Sequence, residues 1–270
     1  MLINIFDVEH GFCALLRGSS GETVLVDSGH NSETNFYPAA YLISQGITHV
    51  NRLVISNYDE DHISGLETLL QNVNYSFPVR NFSVSPEVLR QMKRAQGPLS
   101  QAMSYFIRMI SQSEPAVTMP SLTSMEMAVF SNPYPNFTDT NNLSLVTFVQ
   151  AGGINIVFPG DLEAAGWRAL LQSQAFCEHL TRSNFFVASH HGRESGYCPE
   201  VFRCCSPEIV IISDESIQFD TQRSVNYGQH AGGVQFPSGV KYTVTTRSHG
   251  MIVIKTTIDG GRRIEVSRNA

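Results

Sequence analysis

The 270-residue chain is 42% apolar and carries a formal net charge of −6 at pH 7. That length buries one large core or two small ones, and the acidic balance opposes broad electrostatic attraction to nucleic acid. No apolar run reaches the roughly 18 residues of a membrane span, so no membrane partner is expected. The opening MLINIFDVEHGF has no basic region and brings in Asp7 and Glu9 early, unlike a signal peptide. The expectation is a soluble, cytoplasmic protein. With no linker-like, low-complexity or repeated segment, residues 1–270 read as a single domain.

Short apolar runs rich in β-branched residues predict strands over residues 2–6, 23–26 and 53–55, with helices over 35–44 and 65–70. A helix follows at 100–112, where Met103, Phe106, Ile107 and Ile110 fall on one face. Strands at 143–149 and 154–158 precede a helix at 162–172. Further strands lie at 185–187, 209–212, 243–245 and 251–254. This order fits two sheets packed face to face with helices outside, and equally a doubly wound parallel sheet. Both are α/β arrangements.

Five cysteines, Cys13, Cys177, Cys198, Cys204 and Cys205, make an odd set with two adjacent, which reads as reduced thiols rather than a disulfide framework. A zinc knot from Cys198, Cys204 and Cys205 is the competing reading, although no CxxC pair supports it. From Arg80 to Arg108 the local charge is positive, with Arg80, Arg90, Lys93, Arg94 and Arg108 against Glu87. That stretch is either a solvated helix face or a basic rim that receives an anionic substrate.

Four apolar runs end in polar loops: LVDSG at Asp27, LVISNYDEDH at Asn57 to His62, IVFPGD at Asp161, and FFVASHHG at His190 and His191. Each alone has an ordinary explanation. A lone Asp27 before Gly29 is a turn, PGD is a turn, HHG is a loop, and DEDH suits a helix N-terminus. Four in succession, each after a strand, point instead to side chains converging at one sheet edge. Carboxylates and imidazoles gathered there suit a divalent cation, zinc or, with more oxygen donors, manganese or magnesium.

These motifs resemble the metallo-β-lactamase superfamily, and within it the ComEC-like metallo-hydrolases and their stand-alone relatives. INIFDVEHGFCALLRG is similar to that group's opening hairpin, TVLVDSG to the next strand, and TTRSHGMIVI to the closing strands. LVISNYDEDHISGLETLL looks like the main ligand motif, NNLSLVTFVQAGGINIVFPGDLE like the segment ending in a bridging aspartate, and FFVASHHG like the late histidine motif. The resemblance implies an αββα sandwich with the metal site at one rim of the two sheets, and a helical insertion at about 86–113. It places one metal on Asp61, His62, Asp161 and His190 or His191. It places a second on Asn57, Asp59 and Asn141 or Asn142, with Asp161 between them. Asn57 stands where the family motif has histidine, and an amide oxygen is a weak neutral ligand. One ion, or a harder second ion, is therefore expected.

A divalent cation supplies hydroxide near neutral pH, and Asp61 is a candidate to orient the nucleophile and take its proton. His191, if not a ligand, or His249 are candidates to stabilise anionic oxygens; His249 reads equally as a turn residue. Neither His10 nor His230 has a secure role. The expected reaction is metal-dependent hydrolysis of a phosphodiester in a nucleic acid or nucleotide. Two alternatives stand beside it. One is a degenerate, non-catalytic binding site, suggested by Asn57. The other is a small-molecule esterase or lactonase with an apolar pocket built from Met103, Phe106 and Met109. No protein partner is indicated.

Overall fold

The computed structural model describes residues 1–112, 120–215 and 221–268. Its strands, in chain order, are β1 (Leu2–Ile5), β2 (Ala14–Arg17), β3 (Thr23–Val26), β4 (His49–Val54), β5 (Asn74–Val79), β6 (Glu126–Ser131), β7 (Leu145–Ala151) and β8 (Ile154–Phe158). They continue with β9 (Phe185–Val187), β10 (Ile209–Ile212), β11 (Val234–Phe236), β12 (Gly239–Lys241), β13 (Thr243–Thr245), β14 (Ile252–Thr256) and β15 (Arg262–Val266). The helices are α1 (Pro38–Ser44), α2 (Glu60–Ile63), α3 (Leu66–Asn72), α4 (Pro86–Gln96), α5 (Gln101–Gln112), α6 (Ala164–Leu170), α7 (Gln174–Arg182), α8 (Ser224–Gly228) and α9 (Thr246–His249).

Two large sheets exclude the doubly wound alternative. One has the order β15-β14-β1-β2-β3-β4-β5 and the other β13-β10-β9-β8-β7-β6, with β11 and β12 forming a separate ribbon. Strand alternation then sorts the apolar side chains into layers. Val24 and Val26 of β3, with Ile209 and Ile211 of β10, lie in the core between the sheets. Their neighbours turn outward: Leu25 packs with Leu42, Leu66 and Phe106 of α1, α3 and α5, while Val210 packs with Trp167, Phe176 and Tyr227 of α6, α7 and α8. Strands covered on both faces read as unbroken apolar runs, which is why 23–26 and 209–212 are visible in the sequence. The layers are helix, sheet, sheet, helix.

The helical spacing at 100–112 corresponds to α5, whose Met103, Phe106 and Met109 are buried in the core beneath the first sheet's helices. Phe106 and Met109 are packing, and Met103, packed with them, also borders a groove shared with the polar side chains of Asp59, Lys93 and Ser100. A further helix, α4, precedes it, started by Pro86 and by the Ser85 hydroxyl accepting from the Val88 amide. Residue 113, where the expected insertion ends, lies outside the described residues. All five cysteines are free thiols, and among the described residues none belongs to a metal-ligating group. Also among these residues, no helix is long and apolar enough to cross a membrane.

Candidate metal centre

The site follows from strand direction. In the first sheet β3, β4 and β5 run parallel; in the second β8, β9, β10 and β13 run parallel. Their carboxyl ends therefore reach common edges, and a crevice outside such ends is where side chains from distant loops meet. Asp61 and His62 come from the loop and short helix after β4, Asp161 from the turn after β8, and His191 from the turn after β9. One ligand-capable atom from each lies within 4.8 Å of all the others. His62 Nε2 is 3.1 Å from Asp161 Oδ1, and His191 Nε2 is 3.4 Å from the same oxygen and 3.2 Å from Asp61 Oδ2.

Both imidazoles are held from behind. His62 Nδ1 lies 2.8 Å from Asp27 Oδ2, and Asp27, fully buried, also accepts from the Ser56 amide and hydroxyl. His191 Nδ1 faces the Ser213 carbonyl at 3.1 Å. A carboxylate and a carbonyl only accept here, so both Nδ1 atoms carry a proton and both Nε2 atoms are aimed at the cluster, where a cation would displace any proton and take the lone pair. The backbone around Asp61 is held just as closely. A Cβ on Gly11 would sit 2.4 Å from the Asp61 carbonyl oxygen, and one on Gly29 2.6 Å from it. Only glycine permits that approach.

Residues 6–77, which include Asp27, Asp61 and His62, match the family model of the metallo-beta-lactamase superfamily. Over 177 residues the chain is 24% identical to ComE operon protein 3 of Bacillus subtilis (strain 168), a match covering 64% of this chain and 21% of that protein. The chain thus spans about a fifth of that relative's length. Among solved structures it is similar to CmlA, a diiron beta-hydroxylase from Streptomyces venezuelae, with a TM-score of 0.46, 13% identity, and coverage of 78% of this chain and 44% of that one. It is also similar to a diphosphatase from the PhnP family, with a TM-score of 0.44, 9% identity, and coverage of 94% and 97%.

The family whose model matches residues 6–77 implies a divalent metal, and the donor set here fits one. His62 Nε2, His191 Nε2 and Asp161 Oδ1 are buried and make no hydrogen bond of sound geometry, although they approach to within 3.4 Å. Three such atoms directed at one point are what a cation satisfies. The electrostatics agree. Burial opposes charge on His191, yet Asp161 and Asp61 raise its pKa to about 9. For His62 the balance also goes upward, burial being overcome by Asp161, Asp27 and Asp61. The carboxylates demand positive charge, and two imidazole nitrogens with two carboxylate oxygens are ordinary ligands for a divalent ion.

The remaining expected residues lie elsewhere. His190 turns outward, its Nδ1 2.8 Å from Ser195 Oγ and 3.5 Å from Glu163 Oε1. Consecutive left-handed conformations at His190 (φ 50°) and His191 (φ 54°) send the two rings in different directions. Asn142 staples loops together, accepting from the Gly166 amide at 2.8 Å and donating to Asp139; Asn141 bridges Asn57 and Glu163. Asn57 and Asp59 stand outside the four-residue cluster, Asn57 donating to Ser144 Oγ and Asp59 accepting from Thr140 Oγ1 and Lys93. His249 does not face the cluster: its Nε2 is 3.1 Å from Lys241 Nζ and its Nδ1 lies against Thr245. His230 stacks on Phe202 at 4.1 Å. Of the basic stretch, Arg80 is buried and donates to the carbonyls of Asn81 and Val84, Lys93 meets Asp59, Arg90 lies 3.9 Å from Glu87, and Arg94 and Arg108 are exposed.

Three neighbours of the cluster were not visible as functional residues. Asp27 reads as a turn. His10 packs on the His191 ring at 4.3 Å, with Nε2 3.8 Å from Asp61 Oδ2 and accepting from Arg193 at 3.2 Å. Burial and His191 hold its pKa down to about 4, so the ring is neutral at pH 7. The signal for Asp27 was an acid immediately after a strand buried on both faces; for His10 and Arg193 there was none.

Proposed function

We propose that the chain is a metal-dependent hydrolase of phosphodiesters, acting on a nucleic acid or nucleotide with zinc or manganese. The observation that carries the hydrolase reading is the pair of Nε2 atoms, fixed from behind and converging with Asp61 and Asp161. A divalent cation at that point supplies Lewis acidity and a nucleophile at neutral pH. Asp61 is 24% exposed, whereas His62, His191 and Asp161 are at most 4% exposed. It is therefore the carboxylate positioned to orient an incoming water and accept its proton. Phe12, Phe158 and Val187 wall the inner side and exclude other water from it. The Arg193 guanidinium, beside His10, provides a permanent charge for anionic oxygens. The choice of phosphodiester over other esters is supported by Arg193, by the exposed Arg94 and Arg108, and by the ComEC-like motifs.

Chelator-stripped protein reloaded with zinc or manganese, assayed on bis(p-nitrophenyl) phosphate beside a lactone and a thioester, tests this. The expected result is metal-dependent cleavage of the phosphodiester, reduced about 10²–10⁴-fold in Asp61→Asn, with metal content measured in parallel. Cleavage of lactone or thioester alone, or phosphodiester cleavage that survives Asp61→Asn, overturns the reading.

A further inference from the structure

The loop that delivers Asp61 carries a second carboxylate, Asp59, and its surroundings differ in kind from those of the cluster. Lys93, projecting from α4 with only 11% of its side chain exposed, places its ammonium on Asp59 Oδ1. Thr140 Oγ1 donates to the same carboxylate, 3.0 Å from Oδ1 and 3.3 Å from Oδ2. Asp59 is thus compensated by groups of the chain itself.

Asn57 completes the picture. Its Oδ1 accepts from the Asp59 amide at 2.7 Å. Its Nδ2 faces Ser144 Oγ at 3.0 Å, Asn141 Oδ1 at 3.3 Å and the Thr140 carbonyl at 3.4 Å. Because the Thr140 carbonyl only accepts and the Asp59 amide only donates, the amide orientation is set by its network. Ser144 Oγ in turn accepts from the Asp161 amide at 3.1 Å, so Asn57 stands one hydroxyl away from the cluster. On that side Asn57 turns amide hydrogens into the network, and the Asp59 carboxylate is already engaged by an ammonium and a hydroxyl. A cation there would meet positive charge.

We propose that Lys93 is a built-in substitute for a second metal ion: the centre takes one divalent cation at Asp61, His62, Asp161 and His191, and the Lys93 ammonium, held by Asp59 and Thr140, supplies the second positive charge. This rests on reading the four-residue cluster as a cation site. Lys93 also lines a groove of about 410 Å³ with Tyr58, Ser100 and Met103, so its charge borders open space from which an anionic ligand approaches. The arrangement needs both substitutions of character at once, an amide at 57 and a lysine reaching 59.

The test is metal stoichiometry, measured by elemental analysis after desalting and by calorimetric titration of stripped protein with zinc chloride. Wild-type protein is expected to bind one equivalent. Asn57→His combined with Lys93→Ala is expected to bind two, and Lys93→Met alone, a milder change, one tight and one weaker equivalent. Circular dichroism melts establish that each variant is folded. Two tight equivalents in wild type, or a folded double variant that still binds one, overturn the proposal while leaving the cluster intact. No zinc bound by wild type overturns the cluster reading itself, and this proposal with it.

Discussion

Asp27 acts on the centre without reaching it. Its buried carboxylate keeps the proton on His62 Nδ1 and so aims Nε2 at the cluster. Asp27→Asn preserves shape and removes that charge, and is expected to weaken zinc affinity about 10–100-fold, read as a shift in a competitive titration against a chelating dye. An unchanged affinity would mean that Ser56 alone sets the ring. Asp61, His62 and Asp161 were legible from the sequence because each follows an apolar run and each is a strong ligand type. Asp27 has the same placement, but VDSG also spells a turn, and only burial separates the two. The choice between His190 and His191 was not legible at all. It depends on two successive left-handed residues, a backbone choice that residue type does not announce. Asn57, by contrast, was legible as an anomaly, while its explanation sits on a helix 36 positions later in the chain, at Lys93.

At the scale of elements, three of the strands missing from the apolar-run reading have a common character. β5, β15 and β6 are edge strands, only partly buried, and β5 contains Pro78, which a sheet tolerates at its margin. A half-covered edge needs no unbroken apolar run, so the pattern that reveals β3 or β10 is absent. One such edge is tethered by a single carboxylate. Glu22, in the hairpin between β2 and β3, accepts from the Thr123 and Ser124 amides and from Ser124 Oγ just before β6. Burial works against its charge, but those amides and the hydroxyls of Ser124 and Ser20 hold its pKa down to about 2, from an ordinary 4.5. The folded state therefore favours the ionised form. Its contribution is complete above the ordinary carboxylate range and is lost as pH falls through the folded value. Glu22→Gln is expected to lower the melting temperature at pH 7 by roughly 2–4 °C, with the gap to wild type closing between pH 5 and pH 2. A gap that is constant with pH would locate the effect in shape instead of charge.

For the molecule as a whole, the αββα layering follows from apolar alternation, and the choice between two sheets and one doubly wound sheet follows from antiparallel pairs such as β1 with β14 and β6 with β7. The pairing of β1 with β14 sets Leu2 opposite Lys255, and no local pattern reports it. The cluster draws Asp61 and His62 from the first sheet and Asp161 and His191 from the second. A bound ion is therefore a rivet across the seam, gripping both halves of the sandwich alongside the packing and cross-sheet hydrogen bonds such as Leu145 N–H to the Ser56 carbonyl. Its removal by a chelator should loosen that join: at a free ion concentration 100-fold above the dissociation constant, binding adds about 2.7 kcal/mol, equivalent to roughly 5–10 °C of melting temperature for a chain of this size. Hydrogen exchange should report the slackening first in the loops after β4 and β8, on opposite sides of the seam, and in both together.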